Sequence, residues 1–181
     1  MKENKSSKLA ALPDKDRARR WVLYMAFFLA IFGALDYGYY LARDTVIERL
    51  IVDRLTVRPA AVFINLLFPA ASAKASGHDL FSTFGEINIV QGCEGTEAMF
   101  LLIAAILPFP ARLKTKVLGI TGGVLLLYIL NQLRLLLLMV FLHSHQDWFG
   151  AIHGLIAPTF IVTAGCLFFL AWVSAVVRQA A

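Results

Sequence analysis

Three side chains in this sequence have the chemistry for acyl transfer: the thiol of Cys93, the guanidinium of Arg134 and the imidazole of His153. A cysteine–histidine pair supplies a nucleophile and its acid/base partner. A fixed arginine can stabilise the oxyanion of a tetrahedral intermediate in a low-dielectric pocket. Cys93 stands in Gln91-Gly92-Cys93-Glu94-Gly95-Thr96-Glu97, a short polar stretch directly before an apolar run. Glu94 and Glu97 fall where the first turn of a helix would begin, and the helix dipole favours acidic residues there. Free backbone N–H groups at such a start favour the thiolate, while the two carboxylates oppose it unless a cation offsets them. The bland reading of Cys93 is a small residue at a helix boundary.

Arg134 is harder to dismiss. A mid-helix arginine costs about 2.5–3.5 kcal/mol to insert in a bilayer, so it faces a protein interior or a wet cavity. Its backbone lies eight residues before Leu142, the end of its apolar segment, or about 12 Å along the axis, and its long side chain can reach outward. Asn131 precedes it by one turn on the same face, and Tyr128 precedes Asn131 by another. The alternative is a structural ion pair with Glu97 or Asp36; a pair with Glu97 would still hold Arg134 beside Cys93. His153 opens the last apolar segment, next to Gly154, and a purely structural histidine is its bland reading. His143 and His145 form an H-x-H pair, but no third ligand stands at a supporting spacing, and His78 sits in an unpatterned stretch. Neither a metal nor a cofactor is expected.

These residues must be positioned by membrane helices. The chain is 59% hydrophobic with a mean hydropathy of +0.71, too apolar for a soluble domain of this size. A spanning helix needs about 20 apolar residues. Residues 21–40 carry only Asp36 among charged residues, 117–142 only Arg134, and 151–177 have no Asp, Glu, Lys or Arg. Residues 96–109 form a shorter fourth apolar stretch. The net charge of +5 is distributed as a topology signal rather than as a nucleic-acid surface. Seven Lys/Arg lie in residues 1–20, and Arg112, Lys114, Lys116 and Arg178 fall on the same side of the predicted spans. The positive-inside rule places both termini and the 110–116 loop in the cytoplasm, and residues 43–94 and 143–150 on the outer side. The apolar stretch of the first span is too long for a cleaved signal peptide. Cys166 lies midway along the last span, far in depth from Cys93, so a disulfide between them would need implausible geometry and two independent cysteines are expected.

The expected fold is an all-α integral membrane protein. Residues 1–20 form a disordered cytoplasmic tail and 21–178 a single membrane domain. Four spans fall at about 21–42, 95–109, 117–142 and 151–177. On the periplasmic side, charged residues at helical spacing from Asp44 to Leu55 predict an interfacial amphipathic helix, interrupted by Pro59. Residues 60–68 read as a short surface-lying or re-entrant piece, 69–79 as a loop, and 81–90 as a small β-hairpin with a turn at Gly85.

At three separated places the chain resembles the exosortase/archaeosortase family of membrane cysteine transpeptidases. These are the Gly92-Cys93-Glu94-Gly95 turn, Asn131-Gln132-Leu133-Arg134 as an N-x-x-R in the next span, and His153-Gly154 at the start of the last. The similarity covers roughly residues 20–177. Many members have serine where Glu94 stands, and this chain lacks the extra N-terminal spans of larger members, resembling compact branches such as exosortase H. The resemblance implies cleavage of C-terminal sorting signals of the PEP-CTERM kind on secreted proteins, through a thioester on Cys93. It implies Arg134 at the oxyanion or scissile carbonyl, His153 as acid and base, and Asn131, Glu94, Glu97 and Tyr128 in support. The implied partners are secreted proteins with a C-terminal motif, span and basic tail, membrane lipids, and a surface lipid or glycan acceptor; the implied setting is a bacterial inner membrane with a periplasmic site. Two other readings remain open on the residues alone. One is a non-enzymatic four-span assembly factor or small transporter with a structural Arg134. The other is a metal-dependent hydrolase using His143, His145 and His153.

The topology is checked by labelling intact cells with an impermeant thiol reagent: Cys93 is expected to react and Cys166 to be spared, and the reverse pattern would overturn the orientation.

Overall fold

The computed structural model describes residues 14–89, 92–144 and 146–180. The chain is mostly helical, with three long apolar helical segments and a small three-stranded antiparallel sheet. Helix α1 covers Asp14–Leu41, α5 covers Leu113–Ser144, and α7 covers Ala157–Ala180, preceded by α6 at Gln146–Ala151 and a π-helical turn at Ile152–Ile156. Three segments are long and apolar enough to cross a membrane: Ala18–Leu41, Leu113–Ser144 and Asp147–Gln179.

Helix α4, Thr96–Ile106, has 11 residues, about 16 Å of rise. It falls short of the roughly 20 residues of a full span and of the expected 95–109. It packs against α1, α5 and α7, burying Leu102, Ala104 and Ile106. Leu102 and Ile106 join Leu127, Ile161 and Trp172 in one apolar core. Glycines make this packing close. A Cβ at Gly119 would run into the Trp172 indole, and one at Gly123 into Leu102 and Phe168. Trp172 Nε1 also donates to the Thr115 carbonyl at 3.1 Å, which ties the start of α5 to α7.

A second core lies around the C-terminal half of α5. Leu135, Leu138 and Met139 of α5 pack with Val57, Ala60, Ile64, Leu80, Ile87, Ile89 and Cys93. The first part of this cap is helical: α2 at Val46–Arg49, a π-helical segment at Leu50–Val57 and α3 at Arg58–Leu67. Thr45 caps its start, accepting from the Ile47 N–H at 3.2 Å. Strands β1 (Lys74–Ser76), β2 (Asp79–Ser82) and β3 (Gly85–Asn88) follow. Leu80 is registered against Ala75 on one side and Ile87 on the other, so the inward positions of all three strands stack on the core.

Several expectations are corrected. Residues 14–20 of the expected disordered tail are helical, continuing α1; residues 1–13 lie outside the described residues. Pro59 does not interrupt the amphipathic helix. It stands in the first turn of α3, behind a π segment in which the Arg58 N–H bonds the Asp53 carbonyl five residues back. An α-helix would need the Pro59 N–H to satisfy the Leu55 carbonyl; here that carbonyl accepts from Gln132 Nε2 at 3.5 Å. The 60–68 piece is therefore the end of this helical run, with Ala60, Ala61 and Ile64 buried. The expected loop at 69–79 contains β1, whose three residues offer one apolar side chain and no alternation to read. The turn between β2 and β3 is Thr83-Phe84, and Gly85 opens β3 under the Leu142 side chain. Residues 90 and 91 of the expected hairpin lie outside the described residues. The expected 143–150 loop is largely helical, because α5 runs to Ser144 and α6 begins at Gln146.

Gly123→Leu is expected to destabilise the α4–α5–α7 core by about 1–3 kcal/mol through overpacking, lowering the melting temperature in detergent. Gly122→Ala, whose Cβ would meet Phe168 at an ordinary 3.7 Å, is expected to melt like the parent.

Candidate active site

The Cys93 loop connects the sheet to α4, and its two glycines set its path. Gly92 has φ +89 and Gly95, the N-cap of α4, φ +82, a region that L side chains enter at a cost. At Gly95 there is also no room: a Cβ would stand 2.9 Å from Asn131 Cγ. The Asn131 amide uses this closeness, with Nδ2 donating to the Cys93 carbonyl at 3.1 Å. Cys93 itself is 5% exposed, packed in the second core.

The imidazole comes from the other side. His153 lies in the π-helical turn at Ile152–Ile156, a distortion frequent at functional sites because it re-aims side chains. Its Nε2 is 3.7 Å from Cys93 Sγ. The ring is stacked on Phe149, with centroids 5.6 Å apart and planes within 7°.

Arg134, 6% exposed, joins the two halves. One terminal nitrogen donates to the Gly92 carbonyl at 3.4 Å and the other to the His153 carbonyl at 3.2 Å. The guanidinium thus holds the backbone on both sides of the sulfur–imidazole contact. Its Nε has no hydrogen-bond partner, and among the described residues no carboxylate stands in ion-pair reach. The alternative pairs with Glu97 or Asp36 are therefore not formed. A buried cation without a counter-ion favours any anion that can form nearby, and the Cys93 thiolate, one residue beyond Gly92, is such an anion.

Of the sequence-derived residues, the structure brings Cys93, Arg134, His153 and Asn131 together. Glu94 adjoins them, buried with 2% exposed, and its Oε1 accepts from Thr96 Oγ1 at 3.1 Å. Glu97 is exposed on the first turn of α4, with its carboxylate against Gly92. Tyr128 is half-buried two turns from Arg134 and contributes none of these bonds. His143 is stacked on Phe84 at 4.5 Å, and His145 lies outside the described residues. No group of three side chains able to hold a metal occurs among the described residues.

Sequence reasoning missed three contributors. Phe149 was legible in principle, since it precedes His153 by four residues and shares its helix face. Gln132 and Tyr39 were not; Gln132 acts on a helix 77 positions away, and Tyr39 interacts with Glu94 from α1. Comparison of the chain with protein-family models, with curated proteins and with solved structures found no match.

Gly95→Ala is expected to lower the melting temperature more than Gly77→Ala. Both positions have positive φ, but the space around Gly77 is open while Gly95 faces Asn131; equal losses would show that the Asn131 contact is not formed.

Proposed function

We propose that this chain is a membrane cysteine peptidase and transpeptidase of the exosortase/archaeosortase kind. The observation that supports this most strongly is the 3.7 Å approach of His153 Nε2 to Cys93 Sγ, within a frame that Arg134 closes from both sides. The chain acts as a four-span bundle in which α4, short as it is, makes the second passage. The cap of residues 46–89 lies at the outer interface, and both termini are cytoplasmic. The setting is a bacterial inner membrane, with the site at its periplasmic face.

The chemistry follows from the groups present. His153 Nε2 takes the thiol proton, and the Cys93 sulfur attacks the backbone carbonyl of the sorting signal. The carbonyl oxygen becomes an oxyanion. Three of the five guanidinium N–H groups of Arg134 remain after its two carbonyl bonds, and they stabilise that charge in a buried, low-dielectric setting. The intermediate collapses, the C–N bond breaks, and the imidazolium gives its proton to the leaving amine, which departs with the anchor span and basic tail. A thioester remains on Cys93. His153 then removes a proton from the acceptor, a surface lipid or glycan group, as the acceptor attacks the thioester. The new acyl bond forms, and the thiol is regenerated with that proton. No metal or cofactor enters these steps. Glu94 departs from the serine common in the family and gives this site an acidic wall.

In cells making a tagged secreted protein with a C-terminal motif, span and basic tail, Cys93→Ala is expected to leave all of it unprocessed. His153→Ala is expected to do the same while inserting normally; processing by either variant contradicts the assignment. Arg134→Lys is expected to process at least about tenfold more slowly, since an ammonium cannot bridge two carbonyls and still face an oxyanion; a parental rate would remove Arg134 from the mechanism.

A further inference from the structure

The helical run of residues 46–67, made of α2, the π segment and α3, has two sides of opposite character. One side is buried: Val52, Ala60 and Ile64 pack with Leu80 of the sheet and with Leu135 and Met139 of α5. The two acids of the run, Glu48 and Asp53, also turn inward. The ring nitrogens of His78 lie 3.9 Å from Glu48 Oε1 and 3.8 Å from Asp53 Oδ1. Glu48 further lines an acidic cavity of about 520 Å³ with Tyr39, Asp79 and Glu94, among others. The other side is exposed, and it carries Arg49, Arg54 and Arg58 beside Val46, Leu50, Leu55, Val62 and Leu66. Among the described residues no carboxylate stands in ion-pair reach of these three arginines.

The π segment aligns the arginines. In an unbroken α-helix, positions five apart lie about 140° from each other around the axis, so Arg49 and Arg54 would face different directions. Hydrogen bonding to the fifth residue back, as from the Arg58 N–H to the Asp53 carbonyl, turns the chain less per residue and brings Arg54 over Arg49. Arg58 follows Arg54 by four positions, the spacing of neighbours on a helix surface. The result is one row of three cations beside a strip of exposed apolar side chains, the pattern of a helix seated at a membrane surface. Contacts with α5 give the direction of that face. The sheet meets α5 at Met139 and Leu142, whereas contacts of the helical run extend back to Gln132, about 10–15 Å closer to the middle of α5. The run also begins at Val46, five positions after Leu41, where a membrane-length segment ends. Its exposed side therefore faces away from the sheet, at the level where that segment stops.

We propose that this exposed side is a docking face for anionic phospholipid, with Arg49, Arg54 and Arg58 on the head-group phosphates and the apolar strip among the acyl chains. The inference rests on the cap of residues 46–89 lying at the bilayer surface, and not on the chemistry at Cys93. A guanidinium pairs with a phosphate through two parallel N–H bonds, and here no carboxylate competes for it. The apolar strip gives affinity for any lipid, while the arginine row gives the choice of head group. A zwitterionic head offsets its phosphate with its own ammonium; an anionic head leaves that charge to the protein. A free phosphate would satisfy the arginines but leave the strip uncovered, so a lipid fits the whole face.

The test uses the full chain in detergent with two photoactivatable lipids, a phosphatidylglycerol and a phosphatidylcholine that carry the same acyl-chain diazirine. Light expels N₂, the carbene inserts into a nearby C–H bond, and peptide mass analysis reads the adducts on residues 46–67. A basic residue near a surface is worth about fivefold in affinity for anionic lipid. Phosphatidylglycerol is therefore expected to label the run at least about tenfold more than phosphatidylcholine. With Arg49→Gln, Arg54→Gln and Arg58→Gln combined, its labelling is expected to fall to the phosphatidylcholine level. Equal labelling of the parent chain would overturn the arginine row as a lipid site and leave an acidic protein segment as its occupant. A preference that persists in the triple variant would overturn it as well. Labelling by neither lipid would overturn the placement of the cap at the bilayer. Suppression of the phosphatidylglycerol adduct by equimolar sn-glycerol 3-phosphate would make the row a site for free phosphate and overturn the lipid assignment. The comparison on the parent chain stands even if the triple variant does not fold, and no outcome depends on Cys93 because no substrate is present.

Discussion

A buried guanidinium with two backbone carbonyls for partners is the constraint on which the site depends. Arg134 sits on α5 between two apolar cores, one shared with α4 and α7, the other with the cap of residues 46–89. Its hydrogen bonds reach the loop before α4 and the turn before α7. Neither segment is regular structure of the kind that holds itself in place. The Cys93 loop needs two positive-φ glycines, and the His153 turn is π-helical. Arg134 supplies a common anchor to both, and Asn131, one turn earlier, supplies another to Cys93. That geometry comes at the cost of a buried charge with no carboxylate of the described residues in ion-pair reach, and such a charge makes the surroundings hospitable to a thiolate or an oxyanion.

The cap explains why the thiol is placed so firmly. Cys93 belongs to the same packed group as Ile87, Ile89, Leu135 and Met139. The loop's position is thus fixed by apolar contacts on one side and by Asn131 and Arg134 on the other. Gln132 extends the same logic by serving the Leu55 carbonyl at the π segment. Three residues within about one turn of α5, Asn131, Gln132 and Arg134, therefore hold the Cys93 loop, the cap helix and the His153 turn. The lower core, close-packed through Gly119 and Gly123, keeps α4 and α7 at the spacing this requires.

Much of this was legible in the sequence, for physical reasons. Long apolar runs announce membrane-length helices because a bilayer demands them. A cysteine between glycines at the start of an apolar helix, and an arginine one turn after an asparagine inside another, stand out because both are expensive to keep there. What the sequence hid was long-range pairing. Arg134 could be expected to need partners, but that they would be carbonyls rather than Glu97 or Asp36 depends on how loops from two other elements arrive. Pro59 looked like a stop because local rules make it one, and a π segment ahead of it, with Gln132 behind, overrides them. β1 carries no alternation, so only its pairing with β2 defines it. Tyr39 and the acidic cavity draw on four separate parts of the chain, and no spacing within one element could reveal them.

The central claim is that Cys93 carries an acyl group during turnover. Its most direct test is intact mass analysis of the chain purified from cells making a secreted protein with a C-terminal motif, span and basic tail. A mass increment matching the cleaved substrate, located on Cys93 and released by hydroxylamine, is the expected result. An increment on another residue, or one that persists in Cys93→Ala, would contradict the account.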